Sequence, residues 1–290
     1  MTQLNFTKFK STLLQSFSEI VKLIQINSLS KKKNIHPLKK KIRKFLFKEF
    51  SQFNELKTII IDNDEELSIN SKNNLLLSIQ TIDNELNAVN DESFGSTFCL
   101  LDLQKKQSNS NTGRNIILAG YVFYGITSNL VYAFNNSINI YKYNLKKNEF
   151  TIFNSNYSVK SNGSYYFTDE SNKQYWTEYY IHQLLDKLRN NWNQKYTCSI
   201  VTDFHNILMS GGILIYPKTQ HQPNGIINIL NEAYPLSFIM NIAGGDNSNG
   251  MINTLDLPYS VVKNTSFIIG SQTEMKLLND ILKPDLLFFD

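Results

Sequence analysis

The sequence contains few of the features that assign a chain to a class at first sight. Its 290 residues include two cysteines, Cys99 and Cys198, which share no metal-ligand spacing with each other or with a histidine. We therefore expect two reduced, buried thiols, and neither a disulfide framework nor a zinc site. No run approaches 18 consecutive apolar residues, and the amphipathic N-terminus lacks the pattern of a signal peptide. These absences predict a cytoplasmic protein that neither spans nor binds a membrane.

Several catalytic motifs are also absent. The sequence contains no Gly-x-Ser-x-Gly nucleophile motif, no Walker loop and no internal repeat at a fixed period. The formal net charge is only +4, and most of the excess lies in residues 31–48. Because such a charge run usually forms a solvated surface, we expect no nucleic-acid partner. Contact of residues 31–48 with phosphate or with an acidic lipid surface is the alternative.

The sequence does contain an alternation of helical and extended patterns. With 41% hydrophobic residues, the chain can bury a large core. Apolar residues at helical spacing predict helices over residues 4–26, 38–53, 177–192 and 273–282, with short apolar runs as strands between them. This alternation indicates a layered α/β fold, an αβαβα stack in two lobes. A cluster of Asn, Ser and Gly at residues 156–163 predicts the boundary between domains 1–158 and 159–290.

The stretch of residues 202–245 organises the second half of the chain. An apolar run ending in Tyr216-Pro217 is followed by a Pro-Asn-Gly turn, by a second apolar run at residues 226–230, and by an amphipathic segment. We interpret this order as strand, turn, strand and helix. Glu232 then lies where a strand passes into a helix N-terminus, and there a carboxylate and backbone dipoles can organise a cation or phosphate site.

The same stretch carries a family resemblance. Its matching residues are Asp203-Phe204-His205, Gly211-Gly212, Tyr216-Pro217, Pro223-Asn224-Gly225, Glu232, Pro235 and Ala243-Gly244-Gly245. Further matches are Gly95-Ser96-Thr97-Phe98, Gly113-Arg114-Asn115, Ala119-Gly120-Tyr121 and Gly270-Ser271. In order and spacing the sequence resembles the class I fructose-1,6-bisphosphatases over most of its length, and only weakly before Ser51.

The resemblance implies an activity as well as a fold. The family removes the 1-phosphate of fructose 1,6-bisphosphate, a step of gluconeogenesis in carbohydrate metabolism, by in-line attack of a metal-activated water. Two or three divalent ions neutralise the phosphoryl oxygens, and magnesium requires a cluster of hard oxygen ligands for this role. The resemblance also implies a homo-oligomer, either a dimer or a tetramer.

Part of the carboxylate cluster is retained when the family pattern is placed on this sequence. The resemblance implies that Glu232, Asp83 and Asp64 are the catalytic acids. It implies Glu232 and Asp83 as metal ligands, with Asp62 as a weaker one. The alternative for Asp83 is that it is an acid in a surface loop without a role in the site.

Other positions of the cluster have lost their acids. Arg43, Asn63 and Gln80 stand where the family pattern has carboxylates, although Glu65 or Glu66 replaces Asn63 if the register shifts. At an effective dielectric constant of about 20, a guanidinium about 5 Å from a divalent ion is repelled by several kcal/mol. We therefore expect at most one weakly bound Mg²⁺, between Asp83 and Glu232.

The phosphate pocket implied by the resemblance is altered too. Its positions fall on Tyr216, Tyr196, Lys195, Asp169 and Asn172. Tyr216 keeps a phosphate-binding tyrosine, and Lys195-Tyr196 stands for an Arg-Tyr pair whose basic residue reaches across a subunit interface. Asp169 replaces an asparagine and would repel phosphate. Ile226 replaces a lysine, which removes charged hydrogen bonds of about 1.5 to 3 kcal/mol.

Two functions are consistent with these residues. The first is a sugar-phosphate phosphatase of the fructose-1,6-bisphosphatase type with impaired or altered activity. The second is a catalytically inactive relative that acts as a regulator, as an oligomer partner of an active paralogue, or as a binder of an anionic metabolite. Family resemblance favours the first function, and the altered site chemistry favours the second.

Overall fold

Two β-sheets and three layers of helices alternate in the fold. The computed structural model describes residues 4–30, 34–62, 67–104, 111–258 and 264–283. The helices are α1 (Phe6–Ser28), α2 (Ile35–Ser51), α3 (Glu85–Val89), α4 (Tyr179–Leu188), α5 (Ile200–Ser210), α6 (Tyr234–Ala243) and α7 (Gln272–Leu282). The strands are β1 (Leu56–Ile61), β2 (Leu67–Ser68), β3 (Leu75–Gln80), β4 (Phe94–Asp102), β5 (Ile116–Tyr124), β6 (Asn129–Phe134), β7 (Ser137–Asn144), β8 (Glu149–Ser155), β9 (Tyr165–Phe167), β10 (Asn193–Lys195), β11 (Ile213–Tyr216), β12 (Ile227–Asn228), β13 (Asp246–Ser248), β14 (Asn264–Thr265) and β15 (Phe267–Gly270). The predicted αβαβα stack is confirmed.

The first sheet has eight strands in the order β2-β1-β3-β4-β5-β6-β7-β8. β1 and β3 are parallel, and the strands from β3 to β8 are antiparallel to their neighbours. α1 and α2 cover its outer face because Phe9, Leu13, Phe17 and Ile20 recur at helical spacing and are fully buried. Asn5 caps α1 by accepting a hydrogen bond from the Lys8 backbone N–H at 3.0 Å.

α5 and α6 lie between the two sheets. Phe204 of α5 and Ile239 of α6 belong to one buried core with Tyr121 of the first sheet and Leu214 of the second. The two helices therefore bury apolar side chains on both sides, and they connect the sheets through continuous packing.

β4 and α5 approach each other closely at one glycine. A Cβ on Gly95 would overlap the Val201 side chain and would lie 2.6 Å from the carbonyl oxygen of Val122. Only glycine therefore allows α5 to begin against this strand.

The second sheet has five strands in the order β10-β9-β11-β15-β13. Leu214 of β11 faces the middle helices, whereas Ile213 and Ile215 face α4 and α7 on the outer side. This alternation is the period of two that a strand covered on both faces requires. A separate antiparallel pair consists of β12, which lies within the apolar run at residues 226–230, and β14.

The strands of the two sheets lie on either side of the predicted domain boundary. β8 ends at Ser155 and β9 begins at Tyr165. Because α5 and α6 share one core with both sheets, the division into domains 1–158 and 159–290 stays a prediction.

No helix within the described ranges is long and apolar enough to cross a membrane. α1 is the longest, with 23 residues, and it is amphipathic, with Lys8 and Glu19 exposed. In the basic segment, Lys39 of α2 pairs with Glu85 at 2.8 Å, while residues 31–33 lie outside the described part of the chain.

Some local expectations are wrong. α2 begins at Ile35 and includes Pro37 in its first turn, where a proline removes no intrahelical hydrogen bond. In the run at residues 226–230, only Ile227–Asn228 is extended, and a π-helical turn, Ile229–Ala233, follows. Cys198 is exposed instead of buried, although Cys99 is buried as expected.

Candidate active site

The candidate site lies where β3, the start of α5 and the π-helical turn before α6 meet. We call it the junction and define it by residues 80–83, 199–201 and 228–232. Hydrogen bonds connect its three parts across more than 100 residues of sequence. It thus joins the first sheet to the middle helices, and it contains two acids singled out from the sequence, Asp83 and Glu232.

Glu232 is held at the junction by two hydrogen bonds. Its Oε1 accepts from Nε2 of Gln80 at 2.9 Å, and its Oε2 accepts from the backbone N–H of Asn228 at 2.8 Å. Burial raises the pKa of Glu232 to about 7 against the opposing effect of these bonds, and the nearby Asp83 adds to the increase. The carboxyl group therefore closes its own turn and pairs with a neutral amide.

Asp83 anchors the beginning of α5. Its Oδ1 accepts from the Gly95 backbone N–H at 2.7 Å, and its Oδ2 accepts from Ser199 Oγ at 2.6 Å and from the Val201 backbone N–H at 2.9 Å. Burial raises the pKa of Asp83, and the same three hydrogen bonds oppose that rise. An acid at a helix N-terminus also interacts favourably with the helix dipole. Asp83 is thus half-buried, and its carboxylate is held by the fold instead of facing solvent from a surface loop.

Asp62 is bound within the first sheet. Its carboxylate accepts hydrogen bonds from the Thr81 backbone N–H at 2.8 Å and from Thr81 Oγ1 at 2.9 Å. Nε of Arg43 lies 3.7 Å from its Oδ2. The structure thereby brings the Arg43 guanidinium beside a carboxylate, whereas its assignment to an acid position of the family pattern stays a prediction. Asn63, Asp64, Glu65 and Glu66 lie outside the described residues, so the predicted catalytic role of Asp64 stays a prediction.

Two tyrosines of the predicted phosphate pocket contact each other. The rings of Tyr196 and Tyr216 are edge to face with 6.2 Å between their centroids. Burial raises the pKa of both hydroxyls. The nearby charges of Glu232 and Asp83 raise the pKa of Tyr216 further, and the charge of Asp169 raises that of Tyr196. Both hydroxyls therefore stay protonated at neutral pH and can donate hydrogen bonds.

The other predicted substrate residues are engaged elsewhere. Nζ of Lys195 lies 3.9 Å from the centroid of the Tyr165 ring, because successive residues of a strand point to opposite faces. Asp169 caps the 3₁₀ helix Glu170–Tyr175 and accepts from Asn172 Nδ2 at 2.6 Å. Their predicted contacts with substrate stay predictions.

The described residues do not fit the magnesium cluster that the family reaction requires. Within the described ranges, no group of three His, Cys, Asp or Glu side chains is placed to hold a metal ion. The oxygens of Glu232 and Asp83 already accept protein hydrogen bonds, and Gln80 presents N–H groups to Glu232. Mg²⁺ needs near-octahedral oxygen ligation, which this arrangement lacks.

Sequence reasoning missed polar residues that support the junction. The Asn231 side chain accepts from Ser78 Oγ and donates to the backbone oxygen of Asp62 at 2.5 Å. Asp203 accepts from Thr197 Oγ1 at 2.7 Å, and burial raises the pKa of Asp203 to about 6. A single polar residue inside an apolar run, as Ser78 is in β3, was the available signal.

Comparison with known proteins finds similarity in both sequence and fold. Residues 159–283 match the model of the family described as "Fructose-1-6-bisphosphatase, C-terminal domain". Among curated relatives named fructose-1,6-bisphosphatase class 1, that of Nostoc punctiforme is 29% identical over 215 residues, which cover 70% of this chain and 60% of the relative. That of a Synechococcus strain is 31% identical over 219 residues, which cover 71% of this chain and 64% of the relative. The match spans between 49% and 64% of the length of these curated relatives.

Solved structures are similar over nearly the whole chain. The T-state crystal structure of Leishmania major fructose-1,6-bisphosphatase has a TM-score of 0.86 and 23% identity, and the match covers 98% of this chain and 95% of that one. The apo form has a TM-score of 0.81 and 24% identity, with coverages of 93% and 92%. At these identities the likeness shows the fold.

Proposed function

Because the chain belongs to the class 1 fructose-1,6-bisphosphatase family, we propose that it is a sugar-phosphate phosphatase of this type with strongly reduced activity. Its ligand is fructose 1,6-bisphosphate or a related sugar phosphate, and its place is in the same carbohydrate metabolism. The observation that supports this proposal is the retained group of Tyr216, Tyr196 and Glu232: the rings of Tyr196 and Tyr216 are in contact, with 6.2 Å between their centroids, and Glu232 lies close enough to act on Tyr216 electrostatically.

The chain's own residues suggest how a phosphate ester is held. The hydroxyls of Tyr196 and Tyr216 donate to phosphoryl oxygens, and burial keeps these hydroxyls protonated. Each oxygen of the Glu232 carboxylate has capacity for one more hydrogen bond, so the group can orient a water molecule beside the ester. These residues bind and orient, but they supply little charge to stabilise the reacting phosphoryl group.

The reduced activity follows from charges that the site lacks. Ile226, at a lysine position of the family pattern, is 44% exposed and offers no ammonium group. Gln80 contributes an amide where the pattern has an acid. Each missing charged interaction of about 1.5 to 3 kcal/mol lowers a rate by roughly ten- to a hundredfold.

Phosphate release from fructose 1,6-bisphosphate tests the proposal. We expect release at least about a hundredfold slower than that of a cyanobacterial class 1 relative assayed in parallel. Glu232→Gln should abolish the release, while Glu92→Gln, the same change at an exposed acid, should leave it unaltered. Equal background release by wild type and Glu232→Gln would contradict the proposal.

A non-catalytic binding protein is the second candidate, and the Gln80–Glu232 hydrogen bond favours it. This candidate predicts a stable complex with fructose 1,6-bisphosphate, measured by calorimetry, without phosphate release over many hours. Turnover that Glu232→Gln abolishes would exclude it.

The family also suggests a homo-oligomer, either a dimer or a tetramer. We include this assembly in the proposal, and light scattering coupled to size-exclusion chromatography measures it directly. A monomer at micromolar concentration would contradict this part alone.

A further inference from the structure

The amide of Gln80 lies directly beside the Glu232 carboxylate and occupies one of its two oxygens. Its Nε2 donates to Glu232 Oε1 at 2.9 Å, and Thr97 Oγ1 lies 3.5 Å from its Oε1 on the other side. The amide therefore directs its positive N–H edge toward the carboxylate. A cation approaching that oxygen meets the donor NH₂ group of Gln80 instead of an anionic ligand.

Rotating the Gln80 amide so that its carbonyl oxygen faces the ion does not create a strong metal site. The ion would then lie between one carboxylate oxygen and one neutral carbonyl oxygen. A carbonyl oxygen is a usable ligand for Ca²⁺ or Mg²⁺, but it contributes no charge to offset the dehydration of the ion. One carboxylate with one amide is therefore a much weaker pair than two carboxylates.

The remaining acid oxygens are committed to the fold. Glu232 Oε2 accepts from the Asn228 backbone N–H, and Asp83 accepts from Gly95, Ser199 and Val201. An ion bound to one of these oxygens must share it with a protein donor, which weakens the oxygen as a ligand, and an ion that displaces the donor leaves a buried group unsatisfied. Ion binding thus competes with the turn before α6 and with the start of α5.

We infer that Gln80 makes the junction independent of divalent metal ions, since its amide satisfies Glu232 in the place where a cation and a second carboxylate would otherwise be required. The inference deepens the proposed function, because it concerns the same site and states which ion that site does not need. Its test measures metal binding and requires no phosphate release, so the inference and the proposed function can be contradicted independently.

Manganese binding to the chelator-treated full chain tests this inference. Titration of wild-type protein with Mn²⁺, followed by electron paramagnetic resonance of the free ion, should show no bound Mn²⁺ below millimolar concentration. Its thermal unfolding midpoint should not change with millimolar Mg²⁺ or Mn²⁺. Gln80→Asp should bind Mn²⁺ at least about tenfold more tightly than wild type, since one added carboxylate contributes on the order of 1.4 kcal/mol.

Gln80→Ala is the matched control, because it removes the amide without adding a charge. It should bind Mn²⁺ no better than wild type. Micromolar Mn²⁺ binding by wild type, or equal binding by Gln80→Asp and Gln80→Ala, would overturn the inference. If Gln80→Asp does not fold, the wild-type titration alone decides. Absence of both phosphate release and Mn²⁺ binding in wild type overturns the proposed function and supports the inference.

Discussion

Glu232 and Asp83, the two acids at the junction, differ from the nearby Gln80 in whether their side chains hold the backbone. Glu232 closes the π-helical turn through the Asn228 backbone N–H, and Asp83 holds the start of α5. Gln80, only three residues before Asp83, contacts Glu232 and Thr97 through its side chain without closing a turn or a helix. The difference indicates that a side chain that anchors the backbone cannot be changed without a loss of stability. A side chain such as Gln80, which makes no such contact, can be replaced at a lower cost.

The largest effect should come from removing the anchor on the first sheet. Asp83→Ala leaves three buried donors unsatisfied, those of Gly95, Ser199 and Val201. We expect a loss of about 3 kcal/mol in the free energy of unfolding, measured by urea denaturation. Glu92→Gln, at an exposed position, should change it by less than about 0.5 kcal/mol. A small loss for Asp83→Ala would mean that the acid is retained for chemistry instead of folding.

A glycine provides a second anchor without any charge. Gly95→Ala places a methyl group against Val201 and 2.6 Å from the Val122 carbonyl oxygen. We expect a loss of about 2 kcal/mol in the free energy of unfolding, because α5 must move away from β4. The double variant with Val201→Ala should recover part of the loss in a double-mutant cycle. Strict additivity would show that the close approach is not the cause.

His205 of α5 offers a comparison that depends on pH. Its Nδ1 lies 2.8 Å from Tyr121 Oη, its ring stacks on Phe123, and burial lowers its pKa from 6.5 to about 4. Because the unfolded chain binds the proton more tightly, stability is lost as pH falls from about 6.5 toward 4. The loss from this group should be about 2 kcal/mol at pH 5 relative to pH 8. His205→Gln cannot titrate, so its free energy of unfolding, measured by denaturation at both pH values, should not show this loss. An identical pH dependence in both proteins would contradict it.

The smallest effect is expected at a residue that the fold does not use as an anchor. Lys195 is exposed and its ammonium contacts the Tyr165 ring. Lys195→Met should cost about 0.5 kcal/mol, the size of an exposed cation–π contact, in the same urea experiment. Lys195→Arg, which keeps the cation, should remain at the wild-type value. A loss as large as that of Asp83→Ala would remove the distinction between anchors and replaceable positions.

Much of the fold could be predicted from the sequence, because apolar spacing reports burial directly. Phe9, Leu13 and Phe17 mark the buried side of α1, and the alternation in β11 marks a strand covered on both faces. The π-helical turn could not be predicted. Its apolar residues suit a strand equally well, and the turn depends on the hydrogen bond that the Asn228 backbone N–H donates to Glu232.

The family pattern placed Asp83, Gln80 and Glu232 in one site, and the structure brings them close together. Their roles in that site stay predictions, and their hydrogen-bond partners were not predictable from the sequence. That Asp83 caps α5 depends on Ser199, which is 116 residues away in sequence. No local pattern reports a pairing over such a distance, and the choice of partner decides whether an acid is free to ligate an ion.

The sequence distances across the junction have a consequence for how the chain folds. Its hydrogen bonds join residues separated by 116 positions for Asp83 and Ser199 and by 152 positions for Gln80 and Glu232. The neighbouring strands from β4 to β8 pair in chain order, so their contacts close short loops. Because long loops are costlier to close, the antiparallel strands assemble early and the junction forms late. Late contacts act mainly on the unfolding rate, so the junction governs how long the folded chain survives more than how fast it forms.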